Sequence, residues 1–460
     1  MTVRQSAPIL SLLLLAACGG SSSSAEHTPL ALDRGPVASL LRIDPDGGRP
    51  ELYHLPDLAP LDWRAEARFG KVRDLVGSLS EPPQAILLDA SGKLTAMRLE
   101  AGRTRTIVED AAMAAVSADG SLYSVDSAGL PWTVGRRTPE RYRASFDQVP
   151  DRLWAGAGGS LVGLDSSAPA LEVLGVSDTL SVIPIESGPV AAAPWADLMA
   201  VATDSAIWLH DPHSRGKPSR IGGIRGATSI AFSPSGHQLY VAAENRLVVV
   251  DRFAARIRTT VSLPGAATAL RPDPLGRWLL VRPASGDSIW VVDLDRDSLV
   301  GTAPGKWSDD LPLVASRNVL VARDGKAIIA RDLSSSGLPE TGRVDDAAGS
   351  LWLAVPWSPI REDLAAAALA EDSSAVPASD SAPGERIYLQ VSSSRNPDWA
   401  SELVKKLAGA GLDASILKPA SDNDPYRVVL GPYPSRDVAE ESGRTLGMPY
   451  FVISLPATTN

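Results

Sequence analysis

Few side chains of this 460-residue sequence could do chemistry, and they are scattered along it. It holds one cysteine, Cys18, and five histidines. A lone thiol excludes an intrachain disulfide framework and any CxxC-type zinc or iron–sulfur site. His210 and His213 lie close enough in sequence to share a metal, in His210-Asp211-Pro212-His213. The proline between them at a strand-to-turn junction works against a common chelate geometry, and no metal site is expected. Neither a Gly-x-Ser-x-Gly elbow nor a His-Glu-x-x-His motif occurs. Asp and Glu total 54, but no pair is singled out for glycoside hydrolysis, because separation in space decides that chemistry. The expectation is a protein without catalytic residues or cofactor.

Charge and composition narrow the class further. Against those 54 acidic residues stand 44 Lys and Arg, a net charge of −10, which argues against broad binding to nucleic acid phosphates. Hydrophobic residues at 44% and charged residues at 21% are enough to bury a core over most of the chain. Aromatics are only 5% of the chain, yet 11 of them are Trp.

Residues 1–24 read as a processing segment. Arg4 gives a positive start, and Ile9 to Ala17 is an apolar run shorter than the roughly 20 residues that a spanning helix needs. The run ends Leu15-Ala16-Ala17-Cys18-Gly19-Gly20, followed by Ser21 to Ser24. This resembles the lipobox of bacterial lipoproteins. The resemblance implies cleavage before Cys18 and acylation of its thiol, a thioether that needs one thiolate and no partner. Several acyl chains, at about 0.8 kcal/mol per buried methylene, would anchor the chain to a membrane. Gly19 after the cysteine implies, by analogy with enterobacteria, the outer membrane, facing the periplasm. Residues 1–17 are then a signal peptide and 18–35 a lipidated tether.

The elements that follow must position any binding face. From Val37 to Trp357 short aliphatic runs are broken by Gly, Pro, Asp and Ser, the pattern of strands and turns. A unit ending in Asp recurs at 121–126, 160–165, 206–211, 246–251, 288–293 and 327–332, with the aspartates 39, 46, 40, 42 and 39 residues apart. These units read as third strands, with weaker copies at Lys93 to Arg98 and Pro50 to Leu55. A period near 40 is that of β-propeller blades. The region resembles propellers of the YVTN/WD40-like kind. The fold class is therefore mainly β, an eight-bladed propeller over 36–360 with seven blades as the alternative. Ser350 to Trp357 is expected to return and complete the first blade. The terminal aspartates are expected to bond backbone amides of the next turn.

Residues 361–385 change character: from Glu371 to Gly384 the only large apolar side chain is Val376, the composition of a flexible linker. Residues 386–460 then read strand, helix, strand, twice over. This is the α+β ferredoxin-like plan, with both helices on one face of a four-stranded sheet. Tyr388-x-Gln390-Val391-x-x-Ser393, Leu403-x-x-x-Leu407 with Gly411, and Tyr426-Arg427-Val428-x-x-Gly431-Pro432-Tyr433 closely resemble the SPOR domain (sporulation-related repeat). That family binds peptidoglycan glycan strands stripped of stem peptides, which gather at the division septum. The resemblance implies Gln390 and Ser393 on the first strand, and Arg427 with Tyr426 on the third, as glycan-binding residues. Amide, hydroxyl and guanidinium donors suit a ligand rich in hydroxyl and acetamido groups. The chain is thus expected to be a lipid-anchored envelope protein whose propeller is a scaffold for an envelope or division protein. The alternative is a propeller enzyme or ligand sensor that the SPOR domain targets to the wall.

Overall fold

A computed structural model describes residues 39–359 and 385–456, apart from 81, 118–119, 135–138, 157–158, 168, 176–178, 187, 195, 213–216, 316–317, 395–396, 410, 420–425 and 447–449. The expected signal peptide, Cys18 and its tether lie outside the described residues. So do His213 and all of the linker but its last residue.

Among the described residues, eight antiparallel sheets follow one another between 39 and 355. Blades 2 to 8 are four-stranded meanders over 72–108, 113–141, 152–184, 190–222, 227–262, 267–304 and 313–344. Blade 1 is composite: Leu351–Val355 pairs with Ser39–Ile43, which pairs with Glu51–His54. The 350–357 segment closes the ring as the sequence predicts, and the blade count is eight.

Each blade packs between two neighbours, so both faces of its inner strands are covered and the strands need not alternate polar with apolar. Every residue of Gln238–Ala243 is buried. The apolar clusters sit at the seams. Leu209 and Ile221 meet Leu239 and Val241 between blades 5 and 6. Trp278 and Leu280 meet Val314 and Leu320 between blades 7 and 8, and Leu40, Tyr53 and Trp352 meet Val321 and Ile328 between blades 8 and 1. The tryptophans tie seams by hydrogen bond as well as by area. Trp278 Nε1 donates to Asn318 Oδ1 of the next blade at 3.1 Å, and Trp63 Nε1 to the Leu99 carbonyl at 2.7 Å.

The strand-end aspartates do what their side chains favour. The Oδ1 atoms of Asp126, Asp165, Asp251, Asp293 and Asp332 each accept the backbone N–H two residues on, at 2.7–3.0 Å. The structure corrects their assignment in two blades. Leu122–Val125 and Leu161–Asp165 are second strands, not third, whereas the units at 206, 246, 288 and 327 are third strands. The gap of 46 residues between Asp165 and Asp211 marks the change. Second and third strands are both covered on two faces, so residue type does not separate them.

Asp273, in the turn between the first two strands of blade 7, is wholly buried. It accepts the N–H groups of Leu275 at 2.9 Å, Arg277 at 3.2 Å and Trp278 at 3.3 Å. Burial nevertheless pushes its carboxyl up to about 7, with those bonds and the Arg277 charge opposing. A carboxyl raised in the native state adds stability that is complete below the unfolded value near 4 and is lost as pH rises through about 7. Urea midpoints of the wild type should therefore fall between pH 5 and 8. Asp273→Asn, which keeps an acceptor oxygen and removes the titration, should flatten that segment; an unchanged slope would contradict the assignment.

The C-terminal unit is built as expected. Its elements are Glu385–Ser394, the helix Pro397–Gly409, Ala414–Leu417, Tyr426–Tyr433, the helix Arg436–Leu446 and Phe451–Pro456. The strands lie in the antiparallel order fourth, first, third, second. Ser435 caps the second helix, its Oγ accepting the Val438 N–H at 3.2 Å.

Candidate functional site

Alternation divides the C-terminal sheet into two faces. Leu389, Val391, Val428 and Leu430 pack with Ala400, Leu403 and Leu407 of the first helix and Ala439 and Leu446 of the second. Gln390, Val429 and Arg427 belong to the opposite face, which carries no helix.

A bulge in the first strand sets the register of that face. Gln390 pairs with Val429, Ser392 with Val428, and Ser393 with Arg427. In an unbroken strand, positions 390 and 393 would fall on opposite faces. The extra residue brings both into register with the Val429–Arg427 side. The Ser393 side chain lies outside the described residues; its register position is the one expected for glycan binding. Tyr426 is a correction. Its ring packs with the helix-side cluster, one residue out of phase with Arg427, and is not on the open face.

Gln390 is 0% exposed, and neither its amide nitrogen nor its oxygen has a hydrogen-bond partner among the described residues. The Ser392 hydroxyl also has no partner among the described residues, at 2% exposure, but its register partner Val428 puts it on the helix side. A buried polar group left unpaired costs about 1–3 kcal/mol, so a side chain kept only for packing would be a hydrocarbon here.

Part of what surrounds this face comes from the propeller. The Arg427 guanidinium lies 4.6 Å from the centre of the Phe253 ring. Phe253 sits in the turn between the third and fourth strands of blade 6, with His237 at 5.0 Å and the Arg252 guanidinium at 5.3 Å. Arg252 is itself fixed by Asp197 at 2.9 Å. Burial pushes His237 down to about 4, and the charges of Arg427, Arg252 and Arg258 add to that against the pull of Asp251. The ring is neutral at pH 7. Sequence reasoning missed Phe253, although a signal existed. Two residues after the Asp that ends or follows the third strand, blades 5, 7 and 8 carry His213, Asp295 and Ser334, and blade 6 carries a large apolar ring, Phe253.

Gly431 and Pro432, near the end of the third strand of the C-terminal sheet, have a different office. Gly431 has φ +115°, and a Cβ on it would come within 2.8 Å of the Tyr433 ring. Its N–H donates to the Asp413 carbonyl at 3.0 Å, so Gly431-Pro432 shapes the sheet end.

A second concavity lies at the other end of the propeller. About 460 Å³ is lined by Arg73, Asp74, Lys306, Asp309, Asp310 and Arg323, with Trp307 in its wall. Arg323 and Asp310 neutralise one another through two bonds of 2.7 and 2.8 Å. Burial raises Asp74 above the ordinary carboxylate range, against the Leu75 N–H and the Arg73 charge. His210 stands elsewhere, at the end of the third strand of blade 5, half-buried and held below the usual histidine value by burial.

No curated protein matches the chain in sequence. Among solved structures it is similar to AztD of Citrobacter koseri, at 12% identity and a TM-score of 0.49 over 70% of this chain and 99% of that one. It is also similar to the dihydro-heme d1 dehydrogenase NirN, at 12% identity and a TM-score of 0.47 over 67% of this chain and 73% of that one. Residues 383–446 match the family model of the SPOR domain. The C-terminal unit is a SPOR domain, joined to an eight-bladed propeller.

Proposed function

We propose that this chain is a cell-envelope binding protein whose SPOR sheet holds peptidoglycan glycan strands, with strands lacking stem peptides preferred. One observation carries the reading: the bulge aligns Gln390 and position 393 with Arg427 on the helix-free face, with the Gln390 amide unpaired. Acylation of Cys18 would anchor the chain to the outer membrane on its periplasmic side, and wall binding would enrich it at septa. Joining a membrane anchor to a wall-binding module raises local concentration, so a weak glycan affinity suffices for localisation. The propeller is then a scaffold for an envelope or division protein. A second reading, of a propeller that binds a small ligand or acts on it, is favoured by the charged cavity at Arg73, Lys306 and Asp309.

The test of the first reading is co-sedimentation of the full chain with purified sacculi. Gln390→Ala/Arg427→Ala should lose about tenfold or more in affinity, since each ten-fold step is about 1.4 kcal/mol. Retention of wild-type binding by the double variant would remove this face from consideration.

A further inference from the structure

The contacts of the SPOR domain with the propeller fall on the face proposed for glycan, and they bracket Gln390. On one side of it in the sheet, Arg427 lies against Phe253 of blade 6. On the other, the strand holding Phe451, the register partner of Gln390, follows directly on Tyr450. A Cβ on Gly276 of blade 7 would stand 3.8 Å from the Tyr450 carbonyl oxygen. Beyond these, Asp295 of blade 7 feels the second SPOR helix. Burial and then the Glu440 charge push its carboxyl up to about 6, joined by Asp293 and opposed by Arg277 and Arg436. The turns at 252–255, 273–277 and 294–297 all join first to second or third to fourth strands, so they share one end of the propeller. The charged cavity is lined from the connections at 306–310, 323–325 and 348–351, which lie at the other end.

Between the two bracketing contacts, Gln390 and Val429 are both 0% exposed, although they stand on the face without helices. A saccharide cannot reach either while this arrangement holds. From the overlap we infer that the propeller is a built-in competitor for glycan: blades 6 and 7 cover the SPOR face, and binding of a glycan strand requires that face to leave them. The inference rests on the glycan reading above. The cover is made to be released. It leaves the Gln390 amide without a partner, which a ligand rich in hydroxyl and acetamido groups would supply. Its best-defined anchor is one arginine on one ring, and the same Arg427 is a glycan-binding residue. The connecting residues 371–384 have the composition of a linker.

Two readouts on the full chain test this and separate it from the glycan reading. In a Cys18→Ser background, Gln390→Cys is labelled with a soluble maleimide. Slow labelling that Phe253→Ala accelerates about tenfold is the expected result, and equally fast labelling in both overturns the covered state. In the second, Phe253→Ala is sedimented with denuded sacculi. The apparent affinity of a covered site is reduced by the fraction uncovered, so the variant should bind roughly three- to tenfold more tightly than wild type. Equal affinity, with binding still lost in Gln390→Ala/Arg427→Ala, would overturn the competition and leave the glycan reading standing. No binding by any variant would overturn both, while the labelling would still report whether the face is covered. A urea midpoint for Phe253→Ala equal to that of wild type excludes unfolding as the source of either gain.

Discussion

Replacing Arg323 by methionine is expected to cost the propeller about 3–5 kcal/mol, because the change strands a buried carboxylate. Arg323 grips both oxygens of Asp310, at 2.8 and 2.7 Å, and donates to the Ala348 and Ser350 carbonyls at 2.8 and 2.7 Å. Asp310 in turn accepts the Trp352 N–H at 2.9 Å. Blade 8 is thereby bonded to the returning strand that completes blade 1, at the one seam where the two ends of the ring meet. Burial pushes Asp310 up, but the Arg323 charge and bonds, the Ser308 hydroxyl and the Trp352 N–H hold it below the ordinary carboxylate range. A depressed native value adds stability that is present above the unfolded value near 4 and is lost as pH falls through the native one. Equilibrium unfolding at pH 7 should show the loss in full. The variant should then lose less on acidification than wild type does, and a loss under 1 kcal/mol at pH 7 would remove this bridge as the clasp's fastening.

Trp278→Ala should be comparably severe, about 3–5 kcal/mol, by the cavity it leaves in the seam between blades 7 and 8. The ring is 1% exposed against Leu280, Ile289, Val314 and Leu320. Its Nε1 also satisfies Asn318 across the seam, and the Arg277 guanidinium covers the ring at 4.6 Å from its centre. Trp278→Phe keeps most of the area and loses the hydrogen bond, so its cost should be well under half that of alanine. Equal losses in the two variants would assign the effect to the Asn318 bond alone.

Much of this architecture is legible in the chain because local chemistry and global fold agree. Strand-end aspartates form the same turn in blade after blade, and the apolar run from Ser350 to Trp357 buries Trp352 against blade 8 and packs Trp357 on the side of blade 2, as a strand completing blade 1 must. Which strand of a blade each aspartate ends is not legible, since second and third strands bury both faces alike. In the SPOR unit, Gln390 and Arg427 reach the open face as their motif implies. The fate of Tyr426 turns on phase: it stands one position from Arg427, and only the register of the third strand sends its ring to the helix side. The cover over Gln390 is the least legible feature. It depends on Phe253, some 137 residues earlier in the chain, and on how two independently folding patterns meet.

The measurement that bears most directly on the central claim is co-sedimentation of the full chain with sacculi, before and after an amidase has stripped their stem peptides. A binding face built for bare glycan predicts that the bound fraction rises after stripping. The bound fraction should fall to background for Gln390→Ala/Arg427→Ala. Absence of binding to both kinds of sacculi, for wild type and for Phe253→Ala alike, would contradict the account and leave the charged cavity at the far end of the propeller as the place to look for activity.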